Sequence, residues 1–431
     1  MALLFLDFQS LSCCIFSLSC FFSKQDVSYY SKRTVERNQP SRAIIVLFLL
    51  VVLVIGLSII SNRIWGGKPE QPQKRQELRI DSGMTILQFG QANNLPNAVL
   101  KEIFDLKVKS DLERKLLDYG SSDQITSLVA RKLALASEHA SKNWIKIPVK
   151  FGLWIVFLGT VFILFGRRKV TSGLRNWLLL LSILIFGIAM GSDPSPMGTV
   201  KDAVHLYGTA HAIFPPRMIA LGIFLAIVLI ANKYICAWGC QAGTLQDLIF
   251  HINRTEKQTA VLGRQIKVPF VLTNSIRLVF FSIFSIIAFA WGIDIIDPID
   301  PFKIYKPIHL GFIGGIFIGI LLLGSLFIYR PWCHLFCPFG LVGWLVEKAS
   351  RVKISVDYTT CIACQRCASA CPSTVMGAIL KRDKKTIPDC FSCYTCREVC
   401  PTNSIHFSTR NRTTPPAGFF EKKRINRATD D

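Results

Sequence analysis

Cys361–Pro372 reads CIACQRCASACP and Cys390–Pro401 reads CFSCYTCREVCP. Each stretch has the form C-x2-C-x2-C-x3-C-P, and this repeat decides how the carboxyl-terminal part of the chain folds. Iron takes thiolates tetrahedrally. Three closely spaced cysteines curl round one corner of a cubane, while the fourth, launched from a following helix, reaches the other cluster. The spacing therefore assigns Cys361, Cys364, Cys367 and Cys400 to one [4Fe-4S] cluster. Cys390, Cys393, Cys396 and Cys371 are assigned to a second. Pro372 and Pro401 redirect the backbone after each fourth cysteine. Zinc also accepts four thiolates, but two complete copies with the closing proline favour the cubane. Residues 352–410 are expected to form an α+β bacterial-type ferredoxin domain with two clusters. Such clusters exchange single electrons at potentials of about −700 to +450 mV, so the domain reads as a conduit rather than a place where a substrate is remade.

Working outward, the 431 residues are 51% hydrophobic and the apolar ones come in blocks, which is membrane composition. The formal charge of +22 does not call for a polyanion, because basic residues flank membrane spans in any case, and no nucleic-acid partner is inferred. Eight of the 15 cysteines fall within Cys361–Cys400, unlike a disulfide framework. Cluster thiols must stay reduced, so this domain is expected to face the cytoplasm.

Residues 43–60 (AIIVLFLLVVLVIGLSII) carry no charge and just reach the length of a membrane span. Further apolar runs lie near Phe151–Gly166, Trp177–Met190, Met218–Ala231, Leu278–Gly292 and Gly311–Tyr329. The expectation is an α-helical polytopic membrane protein of about six transmembrane helices, the second and third within 149–190. Residues 1–42 form an amino-terminal cytoplasmic segment. Its first 22 residues read as a dispensable extension or a misplaced start, with a span or membrane-surface segment as the other reading, and Cys13, Cys14 and Cys20 there lack ligand spacing. Lys24, Lys32, Arg33, Arg37 and Arg42, the loop RRKVTSGLR, and Lys233, Arg254, Lys257, Arg264 and Lys267 put their loops inside. Six spans then return the carboxyl terminus inside as well, and residues 411–431 read as a basic, disordered tail.

Residues 61–148 are polar and expected outside. They open on a linker (GGKPEQPQKRQ) and continue as a small bundle of short helices, with Pro96 in a first turn, Gly120 at a helix end and Asp123 as a cap. This unit reads as a docking or spacer domain.

Residues 191–351 split into two similar halves, an internal duplication. SDPSP at 192–196 and CAWGC at Cys236–Cys240 correspond to DPIDP at 297–301 and CHLFC at Cys333–Cys337; the amphipathic stretches GTLQDLIFHINR and GLVGWLVEKASR follow. Both pairs are expected at similar depth on the cytoplasmic side, beside the ferredoxin domain. The i,i+4 spacing places the two thiols of each pair on one helical face. Three readings stay open: a redox-active dithiol or soft-metal site, buried packing, or extra cluster ligands. His205, His211 and His309 read as polar loop histidines, with a haem or quinol site as the alternative. His251 and His334 lie on the inner side, His334 within the second pair.

Between Trp177 and Phe407 the chain resembles the membrane polyferredoxins of the NapH and NosR type, through SPMGTVKDAVHLYG, NKYICAWGCQAGTLQD, RPWCHLFCPFGLVG and the twin ferredoxin motifs. Cys333, Cys337 and Pro338 match that family's C-x3-C-P; the first copy has Gln241 in place of proline. The resemblance implies the bacterial cytoplasmic (inner) membrane and an electron donor, linked to the quinone pool or the cytoplasm, that serves a partner oxidoreductase, commonly outside. Quinol is thus a candidate donor, and a quinol dehydrogenase component a candidate role. No flavin is inferred, since residues 61–146 lack an attachment motif. The leading expectation is a membrane electron-transfer subunit. Its rival is a metal-handling or assembly factor whose clusters reduce a metal or disulfide while a partner enzyme matures.

Overall fold

The computed structural model describes residues 39–65, 78–81, 83–106, 108–254, 262, 265–381, 388–409 and 412–420. The expectations for residues 1–38, the linker at 66–77 and the end of the tail from 421 lie outside the described residues.

Helix α1 (Gln39–Trp65) contains an apolar stretch, Ser41–Ile64, of 24 residues. At 1.5 Å per residue it is about 36 Å long, enough for a hydrocarbon core of about 30 Å. Three polar-unit helices follow, α2 (Ile86–Ala92), α3 (Asn97–Phe104) and α4 (Ser122–Ser141). Then come α5 (Lys146–Gly166), and α6 (Ser172–Ser182) continued by a π-helical turn over Ile183–Ala189. The rest of the bundle comprises α7 (Pro196–Ala210), α8 (Pro215–Ala231), α9 (Tyr234–Trp238), α10 (Gln241–Ile252), α11 (Phe270–Trp291), α12 (Phe312–Gly324), α13 (Pro331–Leu335) and α14 (Pro338–Glu347).

Among the described residues four helical stretches are long and apolar enough to cross a membrane: Ser41–Ile64, Lys146–Gly166, Ser172–Ala189 and Phe270–Trp291. The other two expected spans fall in the shorter apolar helices α8 and α12. Apolar side chains such as Phe48, Ile155, Val279, Ile286 and Ile320 stay exposed along these helices, as a lipid-facing surface requires. Inside, Trp154 stacks on Phe186 at 5.4 Å and meets Phe224 edge-on at 5.2 Å.

The polar unit has its own core of Ile86, Phe89, Leu100, Ile103, Leu116, Ile125 and Val129. Its caps differ from expectation. Ser121, not Asp123, caps α4, in a reciprocal capping box with Gln124; Gly120 just before it adopts φ 141°, a value that glycine reaches without strain.

The amphipathic stretch after Cys240 is fully enclosed, every residue of α10 from Gln241 to His251 being buried. Several of its polar groups find partners in other segments: Gln241 Nε2 donates to Gly191 and Ser192 carbonyls, Gln246 Oε1 accepts from Trp332 N, and Asp247 accepts from Arg330 and Tyr329. One of the sequence readings in the duplicated block is overturned: neither cysteine pair shares a helical face. Each straddles a break: α9 stops at Trp238 and Cys240 caps α10, while α13 stops at Leu335 and Cys337 caps α14. Gly239 and Pro338 sit at these breaks, where helix continuation is weakest.

In the carboxyl-terminal region β1 (Lys353–Val356) pairs antiparallel with β2 (Ile405–Ser408), Lys353 facing Ser408 and Val356 facing Ile405. Between them lie α15 (Arg366–Ala370), α16 (Val375–Leu380) and α17 (Thr395–Glu398). The sheet thus clamps the two ends of the cysteine-rich segment together.

This region docks on one end of the bundle. Its contacts are Phe165 at the end of α5, Arg175 in the first turn of α6, Ala231 at the end of α8 and Arg277 early in α11. The polar unit is at the other end, where Arg217 at the start of α8 reaches Glu138 of α4 at 2.7 Å. Ser61 and Asn62 at the end of α1 donate there to the Ala189 and Tyr305 carbonyls.

Candidate iron–sulfur centres

The two cysteine loops repeat one backbone device. Ala363 and Gln365 have φ of 54° and 56°, and the corresponding Ser392 and Tyr394 have 52° and 74°. Left-handed non-glycine residues are costly, and alternating them with right-handed neighbours turns successive amide N–H groups to the inside of the curl, a nest for a negatively charged group. Ser392 N lies 3.4 Å from Cys390 Sγ as donor.

The eight thiols sort into two cavities. One is lined by Cys361, Cys364, Cys367 and Cys400. The other is lined by Cys371, Cys390, Cys393 and Cys396. Each set takes three cysteines from one motif and one from the other. Burial pushes the Cys367 thiol up to about 12, with Cys400, Cys361 and Cys364 adding to the rise. Burial likewise raises Cys396 well above the usual thiol range, reinforced by Cys371, Cys393 and Cys390. Four thiolates this close need a cationic core to stay deprotonated. Among the described residues no three Cys, His, Asp or Glu side chains converge as they would on a single ion. With zinc–sulfur bonds of about 2.3 Å, tetrahedral thiolates would be about 3.8 Å apart. The residues fit a polynuclear group better than one metal ion.

Hydroxyls sit beside three of these sulfurs: Ser373 Oγ at 3.6 Å from Cys371, Thr395 Oγ1 at 3.5 Å from Cys393, and Thr402 Oγ1 at 3.8 Å from Cys400. A thiolate only accepts, so the hydroxyls would donate. Hydrogen bonds to cluster sulfur are among the levers on potential.

Membrane-bundle residues hold this region from below. Arg175 donates to Thr395 Oγ1 and to the Cys393 carbonyl, both at 2.5 Å. Lys267 donates to the Ala368 and Ser369 carbonyls at 2.9 Å, and Arg254 to that of Ala370 at 3.2 Å, so cations cap the carboxyl end of α15. Asp389 lies buried between Lys233 and Arg277, and Glu347 Oε1 accepts from Cys390 N at 2.8 Å. Tyr394 stacks on Phe165 at 4.4 Å. The basic loop residues Arg254 and Lys267 therefore serve as docking groups, a role the charge count did not reveal.

Cys236, Cys240, Cys333 and Cys337 are all buried, in two segments that re-enter the bundle rather than at its edge. Lys233 meets Asp389 at the ferredoxin end, whereas Gln241, next to Cys240, reaches Gly191 and Ser192, and its carbonyl accepts from Tyr305 OH at 3.0 Å at the other end. On the ferredoxin side, Trp238 Nε1 donates to the Ser392 carbonyl and Arg277 Nη1 reaches both the Cys333 carbonyl and Asp389. His205 Nε2 is 3.3 Å from the Gly292 carbonyl, His211 ends α7 with φ 47°, and His309 ends a short 3₁₀ turn. His251 is buried against Asp247, and His334 Nδ1 is 3.2 Å from the Arg330 carbonyl. The histidines form no common site among the described residues.

Residues 353–401 match the family described as a 4Fe-4S dicluster domain. Residues 213–264 and, separately, 310–357 match the family described as a 4Fe-4S binding domain. These matches mark an iron–sulfur protein. The chain is also similar to the Escherichia coli (strain K12) protein named "Putative electron transport protein YccM", 28% identical over 271 residues that cover 60% of this chain and 70% of that one. No solved structure is a significant match.

Proposed function

We propose that this chain is a membrane-bound iron–sulfur electron carrier of the NapH and NosR type. Cys361, Cys364, Cys367 and Cys400 hold one [4Fe-4S] cluster and Cys390, Cys393, Cys396 and Cys371 the other. The carrying observation is the sorting of eight thiols into two cavities, each completed by a cysteine from the opposite motif. A bound cluster supplies one-electron exchange without bond making at a substrate. The chain's own residues do the rest: the nests orient amides, the hydroxyls bias the sulfurs, and Arg175, Lys233, Arg277 and Asp389 lock the domain to the bundle.

In this reading α8 and α12 complete six spans, the ferredoxin domain faces the cytoplasm of a bacterial inner membrane, and electrons pass between quinol or a cytoplasmic donor and a partner oxidoreductase. Arg254 and Lys267 at the ferredoxin end support the orientation. Support for duplication comes from the two separate matches of one family and from the paired helix breaks at the cysteines. The electron transport name of the Escherichia coli relative agrees with this role. The test is anaerobic purification of the full chain, iron and acid-labile sulfide analysis, and paramagnetic resonance after dithionite. Two magnetically interacting reduced clusters are expected; an iron-free protein refutes the reading.

A further inference from the structure

The two re-entrant segments meet. Arg330, three residues before Cys333, donates to the Cys236 and Ala237 carbonyls, and Trp332 N donates to Gln246 Oε1, so the segment that carries Cys333 and Cys337 packs on the one that carries Cys236 and Cys240. Backbone and cations are fitted to this meeting. A Cβ on Gly243 would lie 2.6 Å from the Cys236 carbonyl oxygen, and one on Gly340 would lie 2.7 Å from that of Cys333, so only glycine lets each returning helix come so close. Cys337 caps α14 and accepts from Gly340 N at 3.4 Å; Cys240 occupies the same place at the head of α10. Both thiols thus stand at the positive end of a helix. Arg330 Nη1 donates to the Cys236 carbonyl at 2.5 Å, and Arg277 Nη1 to that of Cys333 at 3.3 Å.

Four buried cations act electrostatically on these thiols: Lys150, Lys233, Arg277 and Arg330. Lys233 and Arg277 share Asp389, and Arg330 pairs with Asp247. Lys150 is held by the Gly191 and Pro194 carbonyls, while the nearby Asp193 is paired with Lys306. The Nε groups of Arg277 and Arg330 are buried with no hydrogen-bond partner. A buried shell with surplus positive charge is costly unless something anionic offsets it. Two of the family matches cover one cysteine pair each, and two thiols cannot complete a four-ligand cluster; two pairs can. No three of these groups converge on a point, which disfavours a single soft ion.

We propose that Cys236, Cys240, Cys333 and Cys337 together hold a third iron–sulfur cluster, built half from each repeat and set within the bundle. The inference deepens the electron-carrier reading and rests on it. An electron cannot tunnel across a core of about 30 Å in one step, and this site lies between the ferredoxin end and the end at which Gln241 meets Gly191. On its ferredoxin side Trp238 Nε1 donates to the Ser392 carbonyl, within the loop from Cys390 to Cys393, at 3.1 Å.

The test is iron and acid-labile sulfide per chain in the full-length protein, purified anaerobically and reconstituted with ferrous iron and sulfide. About twelve of each are expected, falling to about eight in the Cys240→Ser, Cys337→Ser double variant, with the dithionite-induced ferredoxin signals retained. About eight in the wild type, or an unchanged count in the variant, overturns the third cluster and leaves the two-cluster function standing; a count near zero in the wild type sinks both. If the variant does not fold, alkylation and peptide mapping of denatured wild type decides the matter. All four thiols are expected free, and a disulfide within or between the pairs, or stoichiometric copper with iron near eight, refutes the assignment.

Discussion

Replacing Arg175 by Met should make the cluster of the Cys390 set a weaker electron acceptor. Arg175 is 1% exposed and its Nη1 lies 2.5 Å from Thr395 Oγ1, itself 3.5 Å from Cys393 Sγ. The positive charge therefore sits no more than about 6 Å from a ligand sulfur. At an effective dielectric constant of about 20, one unit charge at that separation is worth roughly 3 kcal/mol. For a one-electron couple this corresponds to about 120 mV, an upper value because the surroundings relax when the charge is removed. Reduction adds negative charge, so losing the cation disfavours it and the potential falls. Redox titration followed by paramagnetic resonance measures the shift, and because the group is buried the shift should persist at high salt. Arg175→Lys keeps the charge but not both hydrogen bonds, and should recover most of the potential. A Met variant with full iron content and a potential within about 20 mV of wild type would refute the reasoning, since 20 mV is under 0.5 kcal/mol. Equal shifts for Lys and Met would show that the hydrogen bonds to Thr395 and Cys393, not the charge, set the potential.

Other substitutions probe separate parts of the same arrangement. Ser373→Ala removes a hydroxyl 3.6 Å from Cys371 Sγ; at about 1 kcal/mol for one hydrogen bond, the potential of that cluster should drop by roughly 40 mV while the other stays put. Gly340→Ala forces a methyl against the Cys333 carbonyl and should cost about 1–3 kcal/mol, read as a lower thermal midpoint in detergent. Gly222→Ala, in a helix where a Cβ meets nothing within 4 Å, is the control and should leave the midpoint unchanged or raise it slightly. At the opposite end, burial raises the Asp300 carboxyl to about 6 although Lys201 lies 3.7 Å away, because Lys201 is shared with the nearer Asp294 and Asp202. With the folded value above the unfolded one, protonation favours the fold. The contribution, on the order of 2 kcal/mol, is complete below about pH 4 and lost as pH rises through 6. Asp300→Asn should flatten the pH dependence of the melting temperature between about pH 4 and 6, and an unchanged slope would count against Asp300 as its source.

The parts legible in the sequence were those written in spacing. The spacing of the eight tail cysteines divides them into two crossed sets, the same sets that line the two pockets, and the apolar runs announce helices through length alone. What stayed hidden depends on tertiary contacts that periodicity cannot register. Ala363, Gln365, Ser392 and Tyr394 carry no left-handed signature, yet all four adopt positive φ because the loops must curl inward. The polar residues of α10 gave it an amphipathic pattern, which does not show that the helix is enclosed on all sides. Gln241, Gln246 and Asp247 instead find partners in other segments: the 191–192 loop, Trp332 and Arg330. Local pattern reports how many polar groups a helix has, not whether the fold supplies their partners.

The same limit explains why the membrane cysteines were misread as helical pairs. An i,i+4 spacing implies one face only where the helix is continuous, and here Gly239 and Pro338 mark a stop in each half. The break places the second cysteine of each pair at the head of a new helix. Were each pair on an unbroken helix, its two sulfurs would lie one above the other along the bundle, and a partner pair on an antiparallel return would meet one sulfur at a time. With the second cysteine of each pair lifted to the head of a new helix, its sulfur gains the amide end of that helix, and the first remains near the bases Arg330 and Lys233. A structural role in packing would be served as well by alanine on a continuous helix, at lower cost than a buried break and four buried cations. The break, the glycines that permit it and the surplus charge around it are therefore better explained by an anionic group held there than by packing alone.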